Sequence, residues 1–132
     1  MVLIIIGLRV QNQRFFIAVY GRSLFAFQQD LQKHGITPVI PGPEGQKCVM
    51  SLIYDDIKAN RPADMEKFRF ASSELREQGA QAIILGCTEL SLIKRDCRIG
   101  AGYLDAMEVL ARTCVLRCGG RLKEEYQELI SK

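Results

Sequence analysis

The chain has 132 residues, enough for one compact domain and too few for two of ordinary size. Apolar residues make up 48% of it and charged residues 25%, a balance that excludes an intrinsically disordered chain. Its net charge of +3 is scattered along the sequence rather than gathered in a block, which disfavours nucleic acid as a partner.

No apolar run approaches the roughly 20 residues needed to span a bilayer, so no membrane segment is expected. The opening Val2-Leu3-Ile4-Ile5-Ile6 lacks the basic leader and cleavage site of a signal peptide and reads as a buried strand. Val2–Leu8 is therefore a candidate strand, and Phe15–Tyr20 is a second. From Ser23, an available N-cap, Leu24, Phe27 and Leu31 recur at helical spacing until His34-Gly35. Thr37–Ile40 reads as a short strand ended by Pro41-Gly42-Pro43. Val49, Leu52, Ile53 and Ile57 mark a helix that fades near Asn60-Arg61-Pro62, and Met65, Phe68, Ser72 and Leu75 mark the next, ending at Gly79.

Ala82–Leu85 is short and fully apolar, the signature of a strand buried on both faces. Leu90–Lys94 reads as a brief helix or turn, and Arg98–Leu104 as a last short strand. Asp105 precedes a helix over 106–117, and Gly119-Gly120 then breaks the chain. Leu122, Tyr126, Leu129 and Ile130 form the stripe of an expected terminal helix. Strand-like and helix-like runs alternate, which predicts an α/β fold with a mostly parallel sheet. The expected division is an α/β domain over 1–118 and a terminal helix over 119–132, beyond the Gly-Gly hinge.

The five cysteines, Cys48, Cys87, Cys97, Cys114 and Cys118, are odd in number and irregularly spaced, which argues against a disulfide framework. Cys114 and Cys118 would share a helix face, but the sole histidine, His34, is far away in sequence, and no metal site is expected. A reduced, cytoplasmic protein follows. Cys87 stands apart from the other four. It follows the strand Ala82–Leu85 at the point where a helix would begin, and there unpaired N–H groups and the helix dipole favour a thiolate. A cysteine hydrolase would need a histidine base, a phosphatase a basic loop where Glu89 stands, and a thioredoxin-like site a second nearby cysteine. Proton transfer fits with the least strain. Thr88 can hold a substrate carboxylate near the helix start, and Glu89 can orient an ammonium group or tune the thiol.

Ala80-Gln81-Ala82-Ile83-Ile84-Leu85-Gly86-Cys87-Thr88-Glu89-Leu90 resembles the second cysteine motif of the cofactor-independent aspartate/glutamate racemases, with Glu89 more like the aspartate branch. Gly35–Pro41 resembles the strand before that family's middle helix, Cys48–Ile57 that helix, and Leu104–Ala111 the closing segment. The likeness runs from about Ser23 to Leu116. It implies a single three-layer α/β domain with a short sheet, equivalent to one half of the two-domain racemase fold. It also implies an isomerase of acidic amino acids in which Cys87 moves the Cα proton and Thr88 and Glu89 bind substrate, with neither pyridoxal phosphate nor metal.

The chain departs from the family in three places. The Cys-Asn-Thr motif of the first half has no counterpart, Ala18–Arg22 replaces a threonine-bearing loop, and Ala106 stands where threonine is common. The resemblance thus implies a chain impaired in isolation, completed by a first-half domain or by a second copy in a homodimer. Two readings compete with it: a non-catalytic α/β module that binds a small carboxylate or self-associates, and a redox-sensing thiol protein.

Overall fold

A computed structural model describes residues 15–18 and 23–132. The fold is α/β. Three parallel strands, β1 (Phe15–Ala18), β2 (Ala82–Leu85) and β3 (Tyr103–Asp105), form a sheet in the order β1-β2-β3. Phe15 pairs with Ala82 and Ala18 with Leu85 on one side of β2; Ile83 pairs with Tyr103 and Leu85 with Asp105 on the other. β2 is the central strand and every one of its residues is buried, which explains why it is apolar throughout. The candidate strand Val2–Leu8 and residues 19–22 lie outside the described residues.

Among the described residues, five α-helices connect and flank the strands: α1 (Ser23–Lys33), α2 (Pro43–Ser51), α3 (Met65–Glu77), α4 (Thr88–Asp96) and α5 (Ala106–Arg117). Pro43 occupies the first turn of α2, where a missing N–H costs nothing. α2 then widens into a π-helix over Leu52–Ile57, and the Lys58 N–H reaches back five residues to the Ile53 carbonyl at 2.9 Å. Asp64 caps α3 by accepting from the Glu66 N–H. At the other end of α3, Gly79 takes φ 95°, and Ala80 N–H bonds the Leu75 carbonyl at 3.2 Å. Only glycine makes that left-handed turn without strain, so the helix stops where the sequence places it.

The core gathers Val49 and Leu52 from the α2 region, Phe68 and Leu75 from α3, Ile83 and Leu85 from β2, and Leu90 and Ile93 from α4. Burial of each large side chain contributes roughly 1.5–3 kcal/mol. The Tyr103 ring lies 5.4 Å from the Phe68 ring, joining β3 to α3.

Four expectations need correction. Thr37–Ile40 is not a strand; Val39 alone makes a bridge. Pro38 has no N–H to donate to a ladder, and Pro41 ends the extended stretch at once. The segment after Cys87 is a helix over Thr88–Asp96, longer than the brief helix or turn expected over Leu90–Lys94. The last strand begins at Tyr103, not Arg98, because Gly102 takes φ 85° and leaves the extended region.

The expected terminal helix is the largest departure. Beyond Gly120 the only helical piece is a 3₁₀ turn over Glu124–Tyr126. Ile130 instead pairs antiparallel with Leu104, Ser131 N–H donates to the Tyr103 carbonyl at 2.8 Å, and Gly102 N–H donates to the Ser131 carbonyl at 2.8 Å. The outer edge of β3 presents unpaired backbone groups, and the C-terminal segment satisfies them. No helix among the described residues is long and apolar enough to cross a membrane.

Candidate active site

β2 and β3 run parallel with Leu85 and Asp105 in register, so both strands deliver a helix start at the same end of the sheet. Gly86 leads from β2 to Cys87, which takes an extended conformation (φ −138°, ψ 163°) and is the N-cap residue of α4. Asp105 is both the last residue of β3 and the N-cap of α5. The carboxyl edge of a parallel sheet is where ligands bind in open α/β folds, because loops and helix N-termini converge there.

Cys87 is half-buried, with one side against the hydrophobic core and the other open. Its sulfur closes no cap hydrogen bond, although the N–H groups of Leu90 and Glu89 favour negative charge on it. The expected thiolate is nonetheless not the favoured form. Burial pushes the Cys87 thiol above its ordinary range, and the neighbouring Glu89 carboxylate pushes it further in the same direction. Desolvation and a like charge here outweigh the helix N-terminus.

Glu89 is held from several sides. Its own backbone N–H, the Cys87 thiol and the Thr88 hydroxyl all stabilise the carboxylate and hold it below the usual range. Thr88 Oγ1 donates to Glu89 Oε2 at 3.1 Å, and Lys58 Nζ lies 3.7 Å from Oε1. Cys87, Thr88 and Glu89 therefore lie together at the start of α4. The Thr88 hydroxyl proton is spent on Glu89, and the exposed threonine keeps only its oxygen lone pairs and backbone amide for a ligand.

Two residues at this edge were not singled out by sequence reasoning. Lys58 follows the π-helix, which carries it past the apolar stripe of α2 to Glu89, and its Nζ sits 4.4 Å from the centre of the Tyr54 ring. Its charge near the end of that stripe was the available signal. Ser91 Oγ lies 3.2 Å from the Cys87 carbonyl and 2.6 Å from Asp105 Oδ1. Asp105 is buried and also accepts from the Met107 and Glu108 amides, so it is a structural cap rather than an open ligand group.

His34 is exposed in the turn after α1. Cys114 and Cys118 are exposed, Cys48 and Cys97 are half-buried against the core, and all five cysteines are free. No cluster of three or more metal-ligating side chains occurs among the described residues.

The model of the Asp/Glu/hydantoin racemases matches residues 7–114, most of the sequence. The chain belongs to that family. Among solved structures it is similar to a Yersinia pestis protein provisionally described as an Asp/Glu racemase, with 26% sequence identity and a TM-score of 0.52. That match covers 61% of this chain and 37% of the Yersinia chain. The racemase-family chain thus corresponds to little more than a third of its structural relative. Its sheet edge with Cys87, Thr88 and Glu89 falls inside the matched residues.

Proposed function

We propose that this chain is a proton-transfer domain of an amino-acid racemase, acting at Cα of a small acidic amino acid through the Cys87 thiol. Removing an α-proton needs a base held against Cα and a field that stabilises the carbanion. The observation that carries the reading is the placement of a half-buried thiol at the start of α4, where burial first and the Glu89 carboxylate second favour its protonated form. In its resting state Cys87 is an acid. It protonates a carbanion at Cα, forming the C–H bond and leaving a thiolate that the Leu90 and Glu89 amides stabilise. The same thiolate removes a Cα proton in the reverse direction.

Lys58 and the first turn of α4 supply positive field for substrate carboxylates, while the ionised Glu89 faces a substrate ammonium group. One thiol serves one face of Cα. Inversion needs an acid on the opposite face, supplied by the other half of a two-domain enzyme or by a second copy of this chain. The scheme uses only side chains and backbone amides of the protein and calls for no cofactor.

The test is incubation of the chain with L- and D-aspartate and with L- and D-glutamate in deuterated water, following the Cα proton by NMR. Solvent deuterium enters at Cα with the wild-type chain and does not with Cys87→Ser. Absence of incorporation at high protein concentration would sink the enzymatic reading and leave a non-catalytic α/β module.

A further inference from the structure

A second concave site lies away from Cys87. α5 and the C-terminal segment enclose a groove of about 320 Å³, whose walls are the side chains of Ala111, Val115, Leu122, Tyr126 and Leu129. None of the residues placed at the Cys87 edge lines it. Its volume is that of a small-molecule site, and its walls are apolar except for three charged groups and the Tyr126 hydroxyl. Glu108 is already engaged by Lys94, and Glu128 by Lys132 at 3.0 Å. Arg112 is different. It makes no ion pair among the described residues, and its Nη1 is buried without a hydrogen-bond partner.

A buried guanidinium donor without an acceptor is costly, and folded proteins leave few of them. The two carboxylates that line the groove are neutralised by lysines, so the uncompensated charge there is that of Arg112. A planar guanidinium pairs best with a planar carboxylate, which it can grip through two parallel N–H bonds. Besides the Tyr126 hydroxyl, a single neutral donor, the walls offer a phosphate dianion nothing further, and they supply contact for hydrocarbon. An isologous second copy would bring another Arg112 and the same already-paired glutamates, which leaves the charge unanswered.

We propose that this groove is a binding site for a small monocarboxylate with an apolar tail, the carboxylate on Arg112 and the tail against Val115, Leu122 and Leu129. The site is independent of the Cys87 chemistry.

The experiment titrates the isotopically labelled chain with decanoate below its micelle concentration, in parallel with decanol and decylamine, by NMR and calorimetry. Decanoate is expected to bind saturably with one-to-one stoichiometry, shifting the amides of Ala111, Arg112 and Leu122, and decanol at least tenfold more weakly. Arg112→Gln is expected to lower decanoate affinity at least tenfold, and Cys87→Ser to leave it unchanged. The proposal is overturned if decanol binds as well as decanoate, if Arg112→Gln retains full affinity, or if no saturable binding occurs. A dimer in light scattering that covers these amides and excludes decanoate overturns it equally. Should Arg112→Gln fail to fold, the comparison of decanoate with decanol on the unaltered chain decides alone.

Discussion

Ser91 donates its hydroxyl to Asp105 Oδ1 at 2.6 Å, which ties the first turn of the helix after Cys87 to the cap of the helix after β3. The same Asp105 oxygen accepts from the Met107 N–H at 2.8 Å, so one buried carboxylate organises two helix starts. Asp105→Ala removes the cap and leaves Ser91 only the longer hydrogen bond to the Cys87 carbonyl at 3.2 Å. The expected loss is about 2–4 kcal/mol, the sum of a cap and a hydrogen bond to a charged group. Asp105→Asn keeps most of the geometry and costs about 1 kcal/mol. Urea unfolding of the two variants checks this ordering; equal stabilities would contradict it.

Thiol alkylation tests the Cys87–Glu89 contact. Cys87 is held above its ordinary pKa, first by burial and then by Glu89, so its alkylation is slow at neutral pH and rises as the pH is raised. Glu89→Gln removes the carboxylate that favours the protonated form, and the Cys87 pH–rate profile moves to lower pH. Mass spectrometry of each peptide across the pH range reads the shift directly. A profile that stays in place, or moves upward, is the contrary result.

Stability against pH follows from the same pair. Glu89 is depressed in the folded state, so its stabilising contribution is present above the unfolded carboxylate pKa and is lost as pH falls through the folded value. Cys87 is raised, so its contribution is full below the unfolded thiol pKa and is lost as pH rises through the folded value. The stability difference between wild type and Glu89→Gln is therefore present at neutral pH and vanishes in acid. Denaturant titrations at several pH values measure it.

Gly45 is buried in α2 against the Glu74 carboxylate of α3. An added methyl group would collide with Glu74 Oε2 and would lie 2.8 Å from Pro41 Cβ. Glu74 can swing away, but the proline ring cannot. Gly45→Ala is expected to cost about 1–3 kcal/mol, as overpacking usually does. Adding Glu74→Ala, which also removes a buried oxygen without a partner, recovers part of that loss. Thermal melts of the single and double variants show whether the two sites are coupled.

Ser131 holds the outer edge of β3: its Oγ accepts from the Tyr103 N–H at 3.0 Å and donates to the Gly100 carbonyl at 2.8 Å. Ser131→Ala leaves the Tyr103 amide without that acceptor. Amide hydrogen exchange at Tyr103 should accelerate by an amount corresponding to about 1–2 kcal/mol, while the Ile83 amide, bonded to Gly102 at 2.9 Å, changes less. Equal acceleration at both amides would mean that the C-terminal segment supports the whole sheet rather than its edge.

Much of this molecule was readable without coordinates. Ala82–Leu85 announced itself as the central strand because burial on both faces permits no polar residue. α3 followed from apolar spacing with its stop at Gly79, and α5 from Asp105 ahead of it and the Gly119-Gly120 break behind it. The motif around Cys87 carried the family, since a thiol at a strand-to-helix junction is an uncommon arrangement of residues.

Contacts between distant segments were not readable in this way. Leu122, Tyr126 and Leu129 read as one face of a helix, but an apolar stripe does not say whether its backbone is needed elsewhere, and here the open edge of β3 claimed the segment. The Cys87 proton is a second case. Local sequence announces the helix start that favours a thiolate, whereas burial against the core and the pose of Glu89 favour the thiol. Lys58 is a third, because it reaches Glu89 only through the wider turn of a π-helix. Periodicity and caps are local and are written in neighbouring residues; desolvation, edge pairing and charge balance depend on what folding brings together, and only the tertiary structure decides them.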